Sequence, residues 1–222
     1  MLLSIPNLLS SEEVDTITKA LKPEDFIDGK KTAGWAAKRV KQNTQLSTQA
    51  SYAQDIKAQI KAALKGNLTF QSAVKPKAIH SILISRYEAG MSYGAHVDNA
   101  LMSGNSLRSD VSLTLFLNSP SDYEGGELVI EEISQNRLIK LDAGSVITYP
   151  SSTLHRIKPV TQGVRLVAVA WVHSLVRDPA KREILFELDQ ARRSIFNKDG
   201  KTREFNWITK SYTNLLRQWA DV

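Results

Sequence analysis

The sequence predicts a mainly β protein with flanking helices, whose core is a double-stranded β-helix (jelly roll). Three observations support this fold class. Apolar residues recur with a period of two from about residue 78 onward, as in strands that bury one face. Turn signals such as Gly125-Gly126 separate the short apolar runs. Helical spacing is strongest towards the two ends of the chain. This arrangement favours a double-sheet jelly roll over an α/β sheet.

The chain before the strands carries two helix patterns. Ser10 and Glu13 form a capping-box pattern before apolar residues at helical spacing, which predicts a first helix over about residues 11–21. Apolar residues spaced by four predict a second helix over about residues 47–65. Residues 25–46 show no sustained period, so we expect a loop with short strand there.

The central part of the chain is expected to supply the strands of the jelly roll. The clearest alternation is at residues 111–117, where Val, Leu, Leu and Leu alternate with Ser, Thr and Phe. The further strand candidates are residues 79–84, 127–132, 137–141, 145–149, 155–159 and 165–173.

Two helices are expected after the last strand. Asp178 is a capping residue, and Pro179 occupies the first helical position before an apolar stripe. A last helix is expected over about residues 206–220. The apolar stripes leave open whether these helices seal the barrel or form a homo-oligomer. We therefore expect three regions: an N-terminal helical and mixed support region (1–77), a central domain (78–178) and a C-terminal helical extension (179–222).

Composition excludes several kinds of site. The chain of 222 residues contains no cysteine, so any metal ligands must be His, Asp or Glu. The net charge is +6, but the basic residues are interleaved with 23 acidic ones, so we do not expect nucleic acid to be the partner. The N-terminus lacks a signal-peptide pattern and no stretch is apolar enough for a membrane span. We therefore expect no membrane association and a cytoplasmic location.

Three residues have the spacing of a 2-His-1-carboxylate metal site. His96 and Asp98 are two residues apart, so in an extended segment both side chains point to the same side. Alone, this pair is weak because it is frequent by chance. His155 begins a distant strand candidate and can supply the third ligand. Two imidazoles and a carboxylate leave open positions on Fe(II), as an oxygenase needs. The other two histidines, His80 and His173, are expected to be surface or core residues.

Arg165 follows His155 by ten residues and opens an apolar strand. If its side chain faces the barrel interior, it needs an anion, because an unpaired buried charge is costly. A cosubstrate carboxylate would satisfy the guanidinium through paired hydrogen bonds. The alternative is a structural salt bridge at the entry of the strand.

Several segments around these residues resemble a known family. They are residues 86–100, 110–118, 123–128, 155–160 and 174–178. The chain is similar over about residues 78–178 to the Fe(II)/2-oxoglutarate-dependent dioxygenases of the prolyl 4-hydroxylase-like superfamily, and in particular to the bacterial PKHD-type hydroxylases, also called iron-uptake factors. The similarity is looser at both ends.

This resemblance implies a reaction and a set of roles. It implies Fe(II) on His96, Asp98 and His155, and the C5 carboxylate of 2-oxoglutarate on Arg165. Tyr87 matches a position where relatives bring a hydroxyl to the cosubstrate, although a core aromatic is equally consistent with the sequence. The reaction would be hydroxylation with O2, with CO2 and succinate as co-products and L-ascorbate (vitamin C) as reductant. Both histidines must be neutral to bind metal, so activity should fall below about pH 6.

The substrate is not encoded in these motifs. By resemblance it is a prolyl or other amino-acid residue of a protein, or a small molecule linked to iron acquisition. Residues 30–41 and 99–109 are candidates for a substrate lid. A nucleic-acid oxidative dealkylase is an alternative, but a second arginine is expected there at the position of Trp171. A non-catalytic cupin-like binding or sensor module and a hydrolytic zinc enzyme are further alternatives; the chain has no HExxH motif for the latter.

Overall fold

Two antiparallel sheets form the centre of the computed structural model, which describes residues 1–102, 104 and 106–222. In chain order the strands are β1 (Leu3–Ile5), β2 (Phe26–Asp28), β3 (Lys41–Gln42), β4 (Thr44–Leu46), β5 (Pro76–Ile79), β6 (Leu83–Tyr87), β7 (Ser92–His96), β8 (Leu101–Met102), β9 (Leu107–Arg108), β10 (Val111–Phe116), β11 (Tyr123–Gly125), β12 (Leu128–Ile130), β13 (Arg137–Ile139), β14 (Val146–Pro150), β15 (His155–Ile157), β16 (Val160–Gly163) and β17 (Arg165–Ser174).

The larger sheet has eight strands in the order β1-β14-β10-β17-β6-β4-β2, with β5 also paired to β17. The smaller sheet has five strands in the order β13-β12-β15-β7-β3. Two short pairs, β11-β16 and β8-β9, complete the strands of the described residues. Neighbours in each sheet are often far apart in the chain, as expected for a jelly roll. The predicted mainly β fold with a double-stranded β-helix core is therefore confirmed.

Helices cover the larger sheet and extend from its last strand. The α-helices are α1 (Ser11–Ala20), α2 (Ala53–Gly66), α3 (Leu68–Val74), α4 (Pro179–Asp199) and α5 (Arg203–Trp219). Short 3-10 helices lie at Pro23–Asp25, Gly29–Thr32, Ala37–Arg39 and Pro120–Asp122. In the part of the chain that the structure describes, no helix is long and apolar enough to cross a membrane.

The apolar residues divide into two buried clusters. One lies between the larger sheet and helices α1 to α3, and it includes Leu115, Ile60 and Phe70, which are fully buried. The other lies between the two sheets and includes Leu128 and Val167. The second cluster holds more aromatic side chains with hydroxyls, and it borders the open space between the sheets.

The sequence placed most elements well, but not their exact limits. Helix α1 begins with the predicted capping box, in which Ser10 and Glu13 exchange side-chain to backbone hydrogen bonds. Helix α4 begins at Pro179 as predicted, with Asp178 as its cap. The second helix begins at Ala53 rather than at residue 47, because residues 47–52 turn away from β4.

The predicted strand at residues 79–84 was wrong as a continuous element. It is split into β5 and β6, both of which pair with β17. The pairing register on β17 shifts by one residue between them, and this irregularity interrupts the strand at residues 80–82. Helix α3, which follows α2 after a single residue, was missed.

Candidate active site

Two of the four histidines face each other across the smaller sheet. His96 ends β7 and His155 begins β15, and the two residues are direct cross-strand partners. Their ring centroids are 4.3 Å apart. This pairing explains how two residues that are distant in the chain come to share one site.

Backbone carbonyls fix the orientation of both rings. The Nδ1 atom of His96 lies 2.9 Å from the carbonyl oxygen of Gly94, and the Nδ1 atom of His155 lies 3.0 Å from that of Thr153. A carbonyl only accepts, so each Nδ1 carries the proton and donates it. The Nε2 atom of each ring is then left with a lone pair that can bind a metal ion.

Asp98 completes the cluster. Its Oδ1 lies 3.8 Å from Nε2 of His96, and its Oδ2 lies 3.9 Å from Nε2 of His155. The hydroxyl of Ser112 donates a hydrogen bond of 2.5 Å to Oδ2 and orients the carboxylate. One ligand atom from each of the three residues lies within 4.8 Å of the others, and no other group of His, Asp or Glu in the described residues meets this condition.

The surroundings keep His96 neutral. Burial, and next the neighbouring His155, lower the pKa of His96 to about 4. The ring of Tyr93 stacks on His96 with centroids 3.7 Å apart, and Tyr149 meets His155 edge-on at 5.1 Å. Burial raises the pKa of both tyrosines, so both hydroxyls stay protonated. An imidazole must be neutral to bind metal, and His96 therefore fits that role.

Arg165 lies on β17 in the larger sheet and is buried, with 1% of its surface exposed. Within the described residues it forms no ion pair, and its Nε and Nη2 atoms make no hydrogen bond of good geometry, although the guanidinium lies near the hydroxyl of Tyr123. Its guanidinium lies over the rings of Tyr87 and Phe116, 5.1 and 5.7 Å from their centroids. Among the described residues there is thus no salt bridge of the kind that the alternative interpretation of Arg165 requires.

Tyr87 and Gly126 shape the space around Arg165. Tyr87 is the cross-strand partner of Arg165, is buried, and has its pKa raised by burial. Gly126 has a φ of +66°, and a Cβ atom there would lie 3.1 Å from Cδ of Arg165. The glycine pair was expected to serve only a tight turn. In the structure Gly126 also leaves room for the arginine side chain.

One cavity of about 220 Å³ joins these groups. It lies between the two sheets, and His96, Asp98, His155, Tyr87 and Arg165 all line it. Every site residue singled out from the sequence is therefore brought to a single space. His80 and His173 lie outside its lining.

The two candidate lid segments also reach this cavity. Ala33 and Gly34 line it from the first segment, and Asn99 and Met102 line it from the second. A Cβ atom on Gly34 would lie 3.4 Å from Oδ1 of Asn99, so the two segments approach each other. Of the second segment, residues 103 and 105 lie outside the described residues.

Sequence reasoning missed several polar residues of the cavity wall, among them Lys41, Asn43 and Ser112. Lys41 had been noted only as the last residue of the candidate lid segment 30–41. Ser112 belongs to the alternating run in β10, and the polar positions of that run were the available signal. For Asn43 the sequence carries no such signal.

The chain matches two family models. Residues 82–173 match the 2OG-Fe(II) oxygenase superfamily, and residues 179–221 match the C-terminal domain of PKHD-type hydroxylases. A PKHD-type hydroxylase of Gloeothece citriformis is 55% identical over 221 residues, and one of Acaryochloris marina is 56% identical. In both comparisons the match covers 100% of each chain.

A solved structure shows the same fold at low sequence identity. A prolyl-4-hydroxylase of Pseudomonas putida superposes with a TM-score of 0.53 and 18% identity, over 78% of this chain and 92% of that one. The fold likeness and the full-length relatives agree with the resemblance found in the sequence. This chain therefore belongs to the PKHD-type hydroxylases, which are oxidoreductases of the 2OG-Fe(II) oxygenase superfamily.

Proposed function

We propose that His96, Asp98 and His155 hold Fe(II), and that Arg165 binds the C5 carboxylate of 2-oxoglutarate in the same cavity. The observation that carries this assignment is the pairing of a three-residue ligand cluster with a buried, unpaired arginine. A buried guanidinium without an anion is costly, so the arginine itself indicates an anionic ligand.

The residues fit both groups. Two neutral imidazoles and one carboxylate are a donor set that suits Fe(II) and leaves positions for cosubstrate and O2. The carbonyls of Gly94 and Thr153 turn Nε2 of each histidine towards the cluster. Arg165 offers donors at Nε and Nη2 that can pair with the two oxygens of a carboxylate.

When bound, Fe(II) and 2-oxoglutarate supply the oxidising chemistry, in which O2 is reduced, 2-oxoglutarate yields succinate and CO2, and one oxygen atom enters a C–H bond of the substrate. The protein binds, orients and excludes water. Arg165 fixes the distant end of the cosubstrate, which sets the position of its reacting end. The rings of Tyr87, Tyr93 and Tyr149 form an aromatic wall that keeps the space between the sheets poor in water.

We also propose that Tyr87 donates its hydroxyl to the cosubstrate carboxylate. Tyr87 lies beside Arg165 across β6 and β17. Its raised pKa keeps the proton on the oxygen, as a donor requires.

For the substrate we propose an amino-acid residue of a protein, such as proline, or a small molecule. The prolyl-4-hydroxylase with a similar fold suggests the first, and the family resemblance to iron-uptake factors suggests the second. Trp171 lines the cavity where a nucleic-acid dealkylase would place its second arginine, which makes that alternative weaker. Ascorbate as reductant, a cytoplasmic location and a homo-oligomer through α4 and α5 stay predictions.

Purified protein loaded with Fe(II) should convert 2-oxoglutarate to succinate in the presence of O2. His155→Ala should abolish this turnover, and Arg165→Ala should raise the KM for 2-oxoglutarate. No turnover in the wild type, or wild-type turnover in His155→Ala, would overturn the assignment. The substrate is then sought by incubating the enzyme with cell lysate under ¹⁸O2 and measuring the labelled hydroxyl in proteins and metabolites separately.

A further inference from the structure

Lys41 adds a third charged side chain to the cavity. The proposed metal and cosubstrate do not balance its charge. Charged side chains that line the cavity are Lys41, Asp98 and Arg165, which together give one net positive charge. The two charges of Fe(II) and the two of 2-oxoglutarate cancel each other. The loaded cavity therefore keeps one positive charge, on the assumption of the proposed function above.

This charge falls on Lys41. Asp98 is neutralised by the metal that it would bind, and Arg165 by the C5 carboxylate. Lys41 is buried, with 5% of its surface exposed, and it forms no ion pair within the described residues. Burial lowers the pKa of its ammonium to about 8, although the carboxylates of Asp98 and Asp28 act in the opposite direction without forming an ion pair with it. A buried ammonium of this kind needs an anionic partner.

The side chain is held in place by its neighbours. Strand β3 pairs with β7, so Lys41 is the cross-strand partner of Tyr93 and its ammonium lies 5.2 Å from the centroid of that ring. Tyr93 in turn stacks on His96. The ammonium donates to the hydroxyl of Thr32 at 3.0 Å, and this hydroxyl lies 2.7 Å from Oε1 of Gln45. The charge is thus fixed on the metal side of the cavity.

Other unpaired donors line the same cavity. The indole Nε1 of Trp171 is buried without a hydrogen-bond partner in the described residues. Asn43 is buried, and its amide makes no hydrogen bond of good geometry there, although it lies near enough to the hydroxyl of Tyr87 to oppose the rise that burial causes in that group's pKa. An indole only donates, so Trp171 favours an acceptor on the ligand, whereas the amide of Asn43 offers both a donor and an acceptor.

We propose that Lys41 is a specificity-determining residue that binds a carboxylate of the substrate beside the metal site. One positive charge fits one carboxylate, and the ammonium still has donors free after its bond to Thr32. The substrate would then be an amino acid, another small organic acid or a residue that carries its own carboxylate. A neutral side chain within a peptide, such as proline, would leave the ammonium unpaired, so this inference narrows the substrates proposed above to those that carry a carboxylate.

The test uses acetate as the smallest carboxylate probe. The protein is loaded with Zn(II), which is redox-inert, and saturated with 2-oxoglutarate so that acetate cannot occupy the site at Arg165. The ¹³Cε NMR signal of Lys41 is assigned by its absence from Lys41→Arg. Lys38, an exposed lysine of the same segment, is assigned in the same way through Lys38→Arg and serves as the matched control.

We expect acetate to shift the Lys41 signal, and the shift should reach a plateau as acetate is added. It should be at least fivefold larger than the shift caused by acetamide at equal ionic strength. The Lys38 signal should not change. Binding of 2-oxoglutarate, measured by calorimetry in the same sample, should persist. An unmoved Lys41 signal, an equal response to acetamide, or displacement of 2-oxoglutarate by acetate would overturn the inference while leaving the proposed function intact. If 2-oxoglutarate does not bind at all, the proposed function fails and this inference fails with it.

Discussion

The four histidines form two pairs in different environments. The site pair is His96 and His155, which face each other on the smaller sheet. The far pair is His80 and His173, which lie at the end of the larger sheet and are close enough for His173 to lower the pKa of His80. Burial is the largest cause of the lowered pKa at His96, His80 and His173. Burial and a lowered pKa therefore do not by themselves distinguish a metal site.

What differs is the chemistry around each pair. The site pair has Asp98 between its Nε2 atoms, carbonyls that fix both rings, and a cavity with a buried arginine opposite. The rings of the far pair make no hydrogen bond of good geometry within the described residues, although the backbone of Arg108 lies near the ring of His80. The carboxylate and the fixed Nε2 atoms are thus the features that indicate metal binding.

Removing one histidine from each pair should give the largest difference between the two pairs. His155→Ala should lower metal affinity by more than the roughly 10–100-fold that outer partners of a ligand contribute, and 2-oxoglutarate turnover should be lost with it. His173→Gln should bind metal as the wild type does. Metal affinity is measured by calorimetry with Zn(II) and turnover by succinate release. Equal losses in the two variants would contradict the distinction between the pairs.

Arg165→Met removes the buried guanidinium that lies across the cavity from the site pair. The affinity for 2-oxoglutarate should fall by about 10- to 150-fold, because a hydrogen bond to a charged group contributes roughly 1.5–3 kcal/mol. The ligand-free variant should nevertheless unfold at a higher temperature, since an unpaired buried guanidinium is replaced by an apolar side chain that can pack against Phe116.

The measurements for this variant are calorimetric titration with 2-oxoglutarate and thermal unfolding of the metal-free protein. In the wild type, 2-oxoglutarate with metal should raise the melting temperature, because the ligand binds only the folded state. A less stable ligand-free variant that keeps its 2-oxoglutarate affinity would contradict the role proposed for Arg165.

Acid should destabilise the metal-free protein through His96. Its pKa is about 4 in the folded state and 6.5 in the unfolded chain. Between these values the unfolded chain binds the extra proton, so stability is full above pH 6.5 and is lost as the pH falls towards 4. The loss should be on the order of 2 kcal/mol. The low pKa also means that His96 does not set the expected limit of activity at about pH 6.

Urea unfolding at pH 7 and pH 4.5 measures this loss, and His96→Gln should reduce it. Replacing His80 and His173 together should reduce it as well, because burial lowers the pKa of both residues in the folded protein. That double variant should leave Zn(II) affinity at pH 7 unchanged. These results together would mean that both pairs affect stability and that only the site pair binds metal. A wild type that is equally stable at both pH values would contradict the account.

Structural elements could be predicted from the sequence where the interactions that form them are local or follow from strand periodicity. The caps at Ser10 and Asp178 satisfy backbone groups within three residues, so a short pattern identifies them. His96 and Asp98 share a side because they are two residues apart in an extended segment. The helices and most strands could therefore be placed from the sequence alone.

Pairing between distant strands could not be predicted in the same way. Lys41 enters the cavity because β3 pairs with β7, and nothing in the residues around it specifies that partner. The direct pairing of His96 with His155 and the register shift that separates β5 from β6 are likewise set by the whole sheet. Such contacts depend on packing across the fold and leave no local periodicity.

The serine that orients Asp98 should make a small contribution to metal affinity. Ser112 donates to Oδ2 of Asp98 at 2.5 Å and lies 2.8 Å from the hydroxyl of Ser151, which accepts from Ser109. Ser112→Ala should lower Zn(II) affinity by about 10-fold, because the carboxylate loses the partner that fixes its orientation. Ser109→Ala is the matched control, since it shortens the same hydroxyl chain without touching the carboxylate. It should change Zn(II) affinity by less than about threefold. Equal losses of affinity in the two variants would mean that the row of serine hydroxyls stabilises packing and does not orient the metal ligand.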